Sequence, residues 1–227
     1  MSERRQYTIR TNSVREQVYA ILRSEIVNIE LKPGTVISTQ ETAERLNVSR
    51  TPVREAFIML NTESLLDLTP QKATVVSKID YNRVKQEWFI REALEVQNMR
   101  AFALLVTEEN IAEMEANLWE QKLCAEQNDY IKMMRLDNRF HSLEFVDTRQ
   151  SLAGELLSQK NGHYDRLRLL TSQTEGRIKG IVGEHEAMLQ AIKKRDAELA
   201  VTLLKQHISK VENYSMAACK RWPEYFV

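Results

Sequence analysis

The sequence predicts a mainly α protein of two domains, an N-terminal winged helix-turn-helix over residues 1–79 and an all-helical domain over residues 80–227. Three observations carry this. Two S-x-x-E capping signatures, Ser13 with Glu16 and Ser38 with Glu41, fall on either side of Pro33-Gly34. Two short β-capable runs, Leu65 to Leu68 and Ala73 to Ser77, follow a third helical stretch. From Tyr81 the strand signals cease, no proline occurs before Pro223, and amphipathic stretches succeed one another between short polar breaks.

The first helix is expected from Ser13 to about Asn28, because Val14, Val18, Ile21, Leu22 and Ile26 recur at helical intervals. Pro33-Gly34 interrupts the chain, and Ser38 caps a short second helix holding Ala43 and Leu46. Asn47 suits a left-handed turn residue. Ser49 is a good N-cap for a third helix over about Arg50 to Glu63, whose first turn accepts Pro52 because the N–H it lacks would be unpaired there. Thr69, Pro70, Gln71 and Lys72 separate the two β-capable runs, which read as a two-stranded wing. Beyond it, helices are expected at Asn82–Leu105, Glu108–Ala125, Asp129–Phe145, Ser151–Thr171, Arg177–Lys193 and Ala197–Ala218, with Thr107 and Asp196 as N-caps. The stripe Leu94, Met99, Phe102 and Leu105 is expected in the core.

Composition narrows the class. The 227 residues are 43% hydrophobic and 28% charged with zero formal net charge, as in a soluble globular protein. No apolar run approaches the roughly 20 residues of a membrane span, and Met1 to Arg10 is polar and basic without a secretory core. Cys124 and Cys219 lie outside metal-ligand spacing and are expected to be reduced thiols in a cytoplasm. From Met1 to Ile79 there are eleven Lys or Arg against nine Asp or Glu, so a case for DNA must rest on the placement of particular arginines.

That placement is found in Ser49-Arg50-Thr51-Pro52-Val53-Arg54-Glu55-Ala56. Arg50 and Arg54 are four apart and share one face at the N-terminal end of the third helix, while Val53, Ala56, Phe57 and Leu60 cover another. A recognition helix sets its N-terminal residues against base edges, and arginine can donate two bonds to guanine O6 and N7. Ser49, Thr51 and the helix N-terminus suit a phosphate. The same spacing also fits a solvated helix face. The run resembles the GntR-type regulators over about Val14 to Val76, including Lys32-Pro33-Gly34 in the loop between the first two helices. The resemblance implies that Arg50 and Arg54 read bases, with Ser49 and Thr51 near phosphates. Gln40 stands where many members have arginine, and Ala73 replaces the glycine usual near the wing tip.

A second constellation lies in Leu136-Asp137-Asn138-Arg139-Phe140-His141, where Asp137 and His141 are one helical turn apart. Such a carboxylate and imidazole can reach one divalent cation, or can form a hydrogen-bonded surface pair. His185 and His207 sit on later helices, and spacing alone does not bring them together.

From about Trp88 to Ser215 the chain resembles the FCD ligand-binding domain of the FadR subgroup: Arg91 and Glu95 match its R-x-x-x-E opening, Asp137 and His141 its D-x-x-x-[FL]-H segment, and His185 and His207 its later histidines. The resemblance implies an antiparallel helical bundle in which Asp137, His141, His185 and His207 hold zinc, nickel or manganese. It implies a small organic acid beside the metal, and Arg91 is the candidate to grip its carboxylate. His163 matches no ligand position and is assigned to the surface or to the lining of the pocket.

The expected function is therefore a non-enzymatic, homodimeric, DNA-binding transcriptional regulator, acting as a repressor on double-stranded operator DNA and modulated by a small carboxylate effector. A regulator for which the metal itself is the signal, or a hydrolase using metal-activated water, are the competing readings. The hydrolase has no further general base beside the ligands and leaves the helix-turn-helix unexplained.

Overall fold

The computed structural model describes residues 13–69 and 73–227. It divides into two compact units: the chain up to Ile26 with Glu30–Ser77, and Val27–Ile29 with Lys78–Val227.

In the first unit, α1 (Val14–Val27) opens with a reciprocal cap in which Ser13 N–H donates to Glu16 Oε2 at 2.9 Å and Glu16 N–H to Ser13 Oγ at 3.3 Å. Val18, Leu22 and Ile26, four residues apart, form its buried stripe. Ser38 caps α2 (Thr39–Leu46) by accepting from Glu41 N–H, and Asn47 ends it in the left-handed region at φ 53°. The third helix, α3 (Arg50–Thr62), buries Val53, Ala56, Phe57 and Leu60.

The wing has one more strand than the sequence reading contains. β1 (Val36–Ile37), β2 (Leu66–Asp67) and β3 (Thr74–Val76) form an antiparallel sheet in the order β1-β3-β2, with Val36 opposite Val75 and Leu66 opposite Val76. Two residues are too few to show alternation, so β1 leaves no periodic trace. Its position follows from Gly34, at φ 85°, whose N–H donates to Val76 O at 2.7 Å while Val76 N–H donates to Thr35 O at 2.8 Å. Pro70, Gln71 and Lys72, three of the four residues expected to separate the two wing strands, lie outside the described residues, as does the Met1–Arg10 segment.

The second unit is helical, as expected, with α4 (Tyr81–Leu105), α5 (Glu108–Gln127), α6 (Tyr130–Ser142), α7 (Glu144–Asp147), α8 (Ser151–Lys160), α9 (Gly162–Ser172), α10 (Arg177–Lys193) and α11 (Ala197–Arg221). Thr107 and Asp196 cap α5 and α11 through their side chains. Two expected helices are each divided. The one expected over Asp129–Phe145 stops at Ser142 and restarts as α7. The one expected over Ser151–Thr171 breaks at Asn161-Gly162, a dipeptide of poor helix formers.

That second break matters for the site, because it frees α9 to run through the interior: every residue from Gly162 to Ser172 is buried. α9 packs on α4 and α11, while α10 packs on α5 and α11. Met99, Phe102, Met114, Phe140, Leu169, Met188 and Leu204 belong to the main apolar core. Leu105, expected in that core, is 58% exposed near the α4 terminus. Within this unit Ile79 N–H donates to Tyr225 O at 2.8 Å, and Val227 N–H to Ile79 O at 3.3 Å.

Candidate metal centre and nucleic-acid interface

Asp137 and His141 project from one face of α6, His185 from α10 and His207 from α11, and all four are buried. Their ligand atoms lie within 4.8 Å of one another. His141 Nε2 and His207 Nε2 are 3.3 Å apart, and Asp137 Oδ1 lies 3.6 Å from His185 Nε2 and 4.0 Å from His207 Nε2. A tetrahedral ion with ligand bonds of about 2.1 Å has edges of about 3.4 Å, so these separations suit one cation.

The opposite ring nitrogens face outward to acceptors. His185 Nδ1 meets Gln121 Oε1 at 2.7 Å, and His207 Nδ1 meets Glu184 Oε2 at 2.7 Å. His141 Nδ1 lies 3.1 Å from Glu95 Oε2, without the alignment of a hydrogen bond. Acceptors at Nδ1 leave the Nε2 lone pairs pointing inward, the tautomer a metal needs. The His185 support continues: Gln121 Nε2 donates to Asn117 Oδ1 at 2.7 Å, and Asn117 Nδ2 donates at 3.1 Å to the carbonyl of Leu136, the residue before Asp137. Among the described residues His185 Nε2 has no hydrogen-bond partner although it is buried, an orphan atom that a cation would satisfy.

Electrostatics favour the same state. Burial alone would raise the Asp137 carboxyl, but Arg168 and the three imidazoles hold it well below the usual range. Burial, then His207, pushes His185 well below the usual histidine range, and burial chiefly lowers His207 to about 4. At neutral pH the carboxylate is ionised and these imidazoles are neutral, the protonation states that coordination requires. Glu184, which burial would raise, is lowered to about 2 by His207 and Arg177. Arg177 reaches it at 2.6 Å and Lys210 at 2.9 Å.

Asp137 Oδ2 is held by Arg168, so Oδ1 is the oxygen turned to the imidazoles. Beside the cluster lies a narrow cleft of about 10 Å³, room for a single water, whose lining includes Asp137, His207, Tyr164, Arg168, Thr171 and Arg177. Arg91 is buried behind it, with Nε donating to Glu95 at 2.8 Å and Nη2 3.9 Å from Asp137 Oδ2. The Arg91 and Arg168 guanidinium carbons lie 5.5 and 5.7 Å from the centroid of the Tyr164 ring. Sequence reasoning missed Gln121, Asn117, Tyr164, Arg168 and Arg177, residues whose single positions carry no periodic or motif signal. Glu184, inside the Glu184-His185 pair, was the one that could have been found. His163 is buried and does not line this cavity, which corrects its expected role: its Nδ1 accepts from Asp80 N–H at 3.1 Å, at the start of α4.

In the first unit, Ser49, Arg50, Thr51 and Arg54 are all exposed on the opening turns of α3. Ser49 occupies the N-cap position with extended backbone but makes no side-chain capping bond. Neither arginine enters an ion pair among the described residues. Gln40, on α2, donates to Glu44 at 3.0 Å.

Residues 14–76 match the family of bacterial regulatory proteins named gntR, and residues 88–210 match the FCD domain. The chain is 32% identical over 201 residues to the HTH-type transcriptional repressor RspR of Escherichia coli K12, covering 88% of each. Among solved structures it is similar to E. coli McbR/YncC, with a TM-score of 0.81 at 20% identity, covering 91% of this chain and 99% of that one. A putative GntR transcriptional regulator from Rhodococcus sp. RHA1 gives 0.74 at 21% identity, with the same coverage. No helix among the described residues is long and apolar enough to cross a membrane.

Proposed function

Because the chain belongs to the GntR family of transcriptional regulators and carries an FCD domain, we propose that it is a homodimeric repressor whose grip on operator DNA is set by a small carboxylate bound beside a divalent metal. The observation that carries this reading is the convergence of three imidazole Nε2 atoms and Asp137 Oδ1 in a buried pocket, with two outward nitrogens hydrogen-bonded to acceptors.

Asp137, His141, His185 and His207 would hold zinc, nickel or manganese, since three imidazoles and a carboxylate suit each. The bound ion supplies positive charge to which a carboxylate oxygen is drawn. Arg168, in the lining of the cleft, and Arg91 add cationic charge near Tyr164, and because the cleft as it stands holds only about 10 Å³, an acid of a few heavy atoms would enter as the side chains lining it shift. Arg50 and Arg54 would read guanine edges while Ser49 and Thr51 hold phosphate. The unspent cap oxygen of Ser49 supports that role. Two chains would set their α3 helices in successive major grooves of a pseudo-palindromic site, in the cytoplasm where the chromosome lies. The effector alters DNA affinity only as far as it binds the DNA-competent and incompetent arrangements differently.

The deciding experiment is elemental mass spectrometry of the purified protein and of Asp137→Ala and His185→Ala variants. It is followed by operator titration with metal alone and with metal plus a panel of short mono- and dicarboxylates. About one ion per chain, lost in the variants, with operator release only on adding an acid, supports the reading. Release by metal alone makes the ion the signal. No metal after supplementation sinks the metal-centred part and leaves the DNA-binding part standing.

A further inference from the structure

Helix α4 buries Glu87, Arg91, Glu95 and Asn98 alongside Val84, Met99, Phe102 and Ala103, whereas Phe89 is 73% exposed and Ile90, Leu104 and Leu105 are exposed as well. The polar interior is accounted for, because Arg91 and Glu95 stand behind the metal cluster and Glu87 accepts two N–H bonds from the first turn of α9. The apolar exterior has no such account among the described residues. An exposed apolar stripe on a long helix is a surface that water disfavours and a partner would cover.

Beside Phe89 runs a groove of about 310 Å³ formed by Phe89, Glu92, Ala93, Val96 and Gln97 of α4 and Lys205 of α11. Glu92 and Lys205, one acid and one base on the same groove, enter no ion pair among the described residues. An interface between identical copies related by a two-fold axis must be its own complement. A groove bearing one unpaired charge of each sign meets that requirement, because rotation brings each acid toward the other copy's base. A larger groove, about 640 Å³ around the 63% exposed Trp119 between α5 and α10, differs: its rim charges are already neutralised, Lys122 by Glu186 and Glu115 by Lys193, each at 2.6 Å.

We infer that the outer face of α4, with the adjoining flank of α11, is the surface on which a second copy of this chain docks. Phe89 seats in the opposing groove, and Glu92 faces Lys205 of the partner subunit. Size requires the α11 flank. A helix of 25 residues is about 37 Å long and about 10 Å wide, so it offers roughly 400 Å², while a stable interface buries about 800 Å² per partner. The inference rests on the dimeric reading above and adds to it the face used.

Sedimentation velocity on the full-length protein over a range of concentrations tests it, with circular dichroism and metal content as checks on folding. The wild type should be a dimer. Phe89→Glu should weaken the dimer at least about 30-fold, the effect of losing a central aromatic anchor, with helix content and metal unchanged, and Trp119→Glu should remain dimeric. Glu92→Lys and Lys205→Glu should each weaken association, and the double reversal should restore it, an outcome that misfolding would not produce. A dimer indifferent to Phe89→Glu, or a double reversal no better than either single change, overturns the assignment of this face. A wild type that is monomeric overturns the dimeric reading and this inference with it.

Discussion

His185 Nδ1 sits 2.7 Å from Gln121 Oε1, and that contact fixes which nitrogen of the ring faces Asp137. Gln121 is fully buried and is itself oriented by Asn117. Replacing it with leucine leaves all four candidate ligands in place but removes the acceptor. Metal affinity should fall about 10- to 100-fold, the usual cost of losing an outer hydrogen bond. Competition against a fluorescent chelator reads this directly; affinity equal to wild type would mean that the ring is oriented by packing on Phe140, stacked at 4.4 Å, instead.

Acid should destabilise the metal-free protein through His207. Its value falls from 6.5 to about 4 in the fold, so the unfolded chain takes up the proton first. Stability is complete above about pH 6.5 and declines as the pH drops toward 4, by on the order of 3 kcal/mol when fully developed. Urea midpoints measured in chelator at pH 7, 5.5 and 4.5 should fall in that order, with a shallower decline in His207→Gln. Identical slopes for the two proteins would remove His207 as the cause.

The opposite sign is expected for Glu144. Burial pushes this carboxyl well above the usual range, Glu95 raises it further, and neither of its oxygens meets a hydrogen-bond donor among the described residues. Its contribution is greatest below the unfolded value and is lost as the pH rises through the folded one. Glu144→Gln should therefore gain thermal stability over wild type at pH 8 more than at pH 5. An equal difference at both pH values would contradict this.

Two serines at helix N-caps should behave differently. Ser38 accepts from Glu41 N–H at 3.1 Å, so Ser38→Ala should cost about 1 kcal/mol of stability. Ser49 makes no capping bond, so Ser49→Ala should leave the melting curve nearly unchanged while weakening binding to operator and random DNA alike, with the salt dependence unaltered because a hydroxyl neutralises no phosphate.

Arg50→Ala carries the sequence-reading expectation. Removing one bidentate contact, about 1–3 kcal/mol, should cut preference for the operator about 10- to 100-fold over random DNA, with helix content intact. An unchanged preference in paired mobility-shift titrations would displace α3 as the reading element.

The helix-turn-helix was legible because caps and turns are local: Ser13, Ser38 and Asn47 each act on neighbours within five residues. β1 was not, because its existence depends on Val75, about 40 residues away. The same division runs through the site. Asp137 and His141 share one helix and are visible by spacing; His185 and His207 needed the family resemblance to join them. Gln121 and Arg168 reach the centre only through packing of α5 and α9 against α6 and α10, which no spacing encodes. The division at Asn161-Gly162 has a local signal in the sequence itself, because both residues are poor helix formers.

The pairing of Ile79 with Tyr225–Val227 brings the beginning of the helical unit beside its far end. A module whose entrance and exit coincide can be cut out, grafted or rejoined without stretching its interior. A short glycine linker from Val227 back to Lys78, with new ends opened at the Glu175-Gly176 turn, should give a circular permutant that keeps the same helices. The same closeness makes this pair of backbone bonds the clasp of the domain. Tension applied at both ends would load the clasp before any helix, and bulky cargo fused directly after Val227 would prise it open.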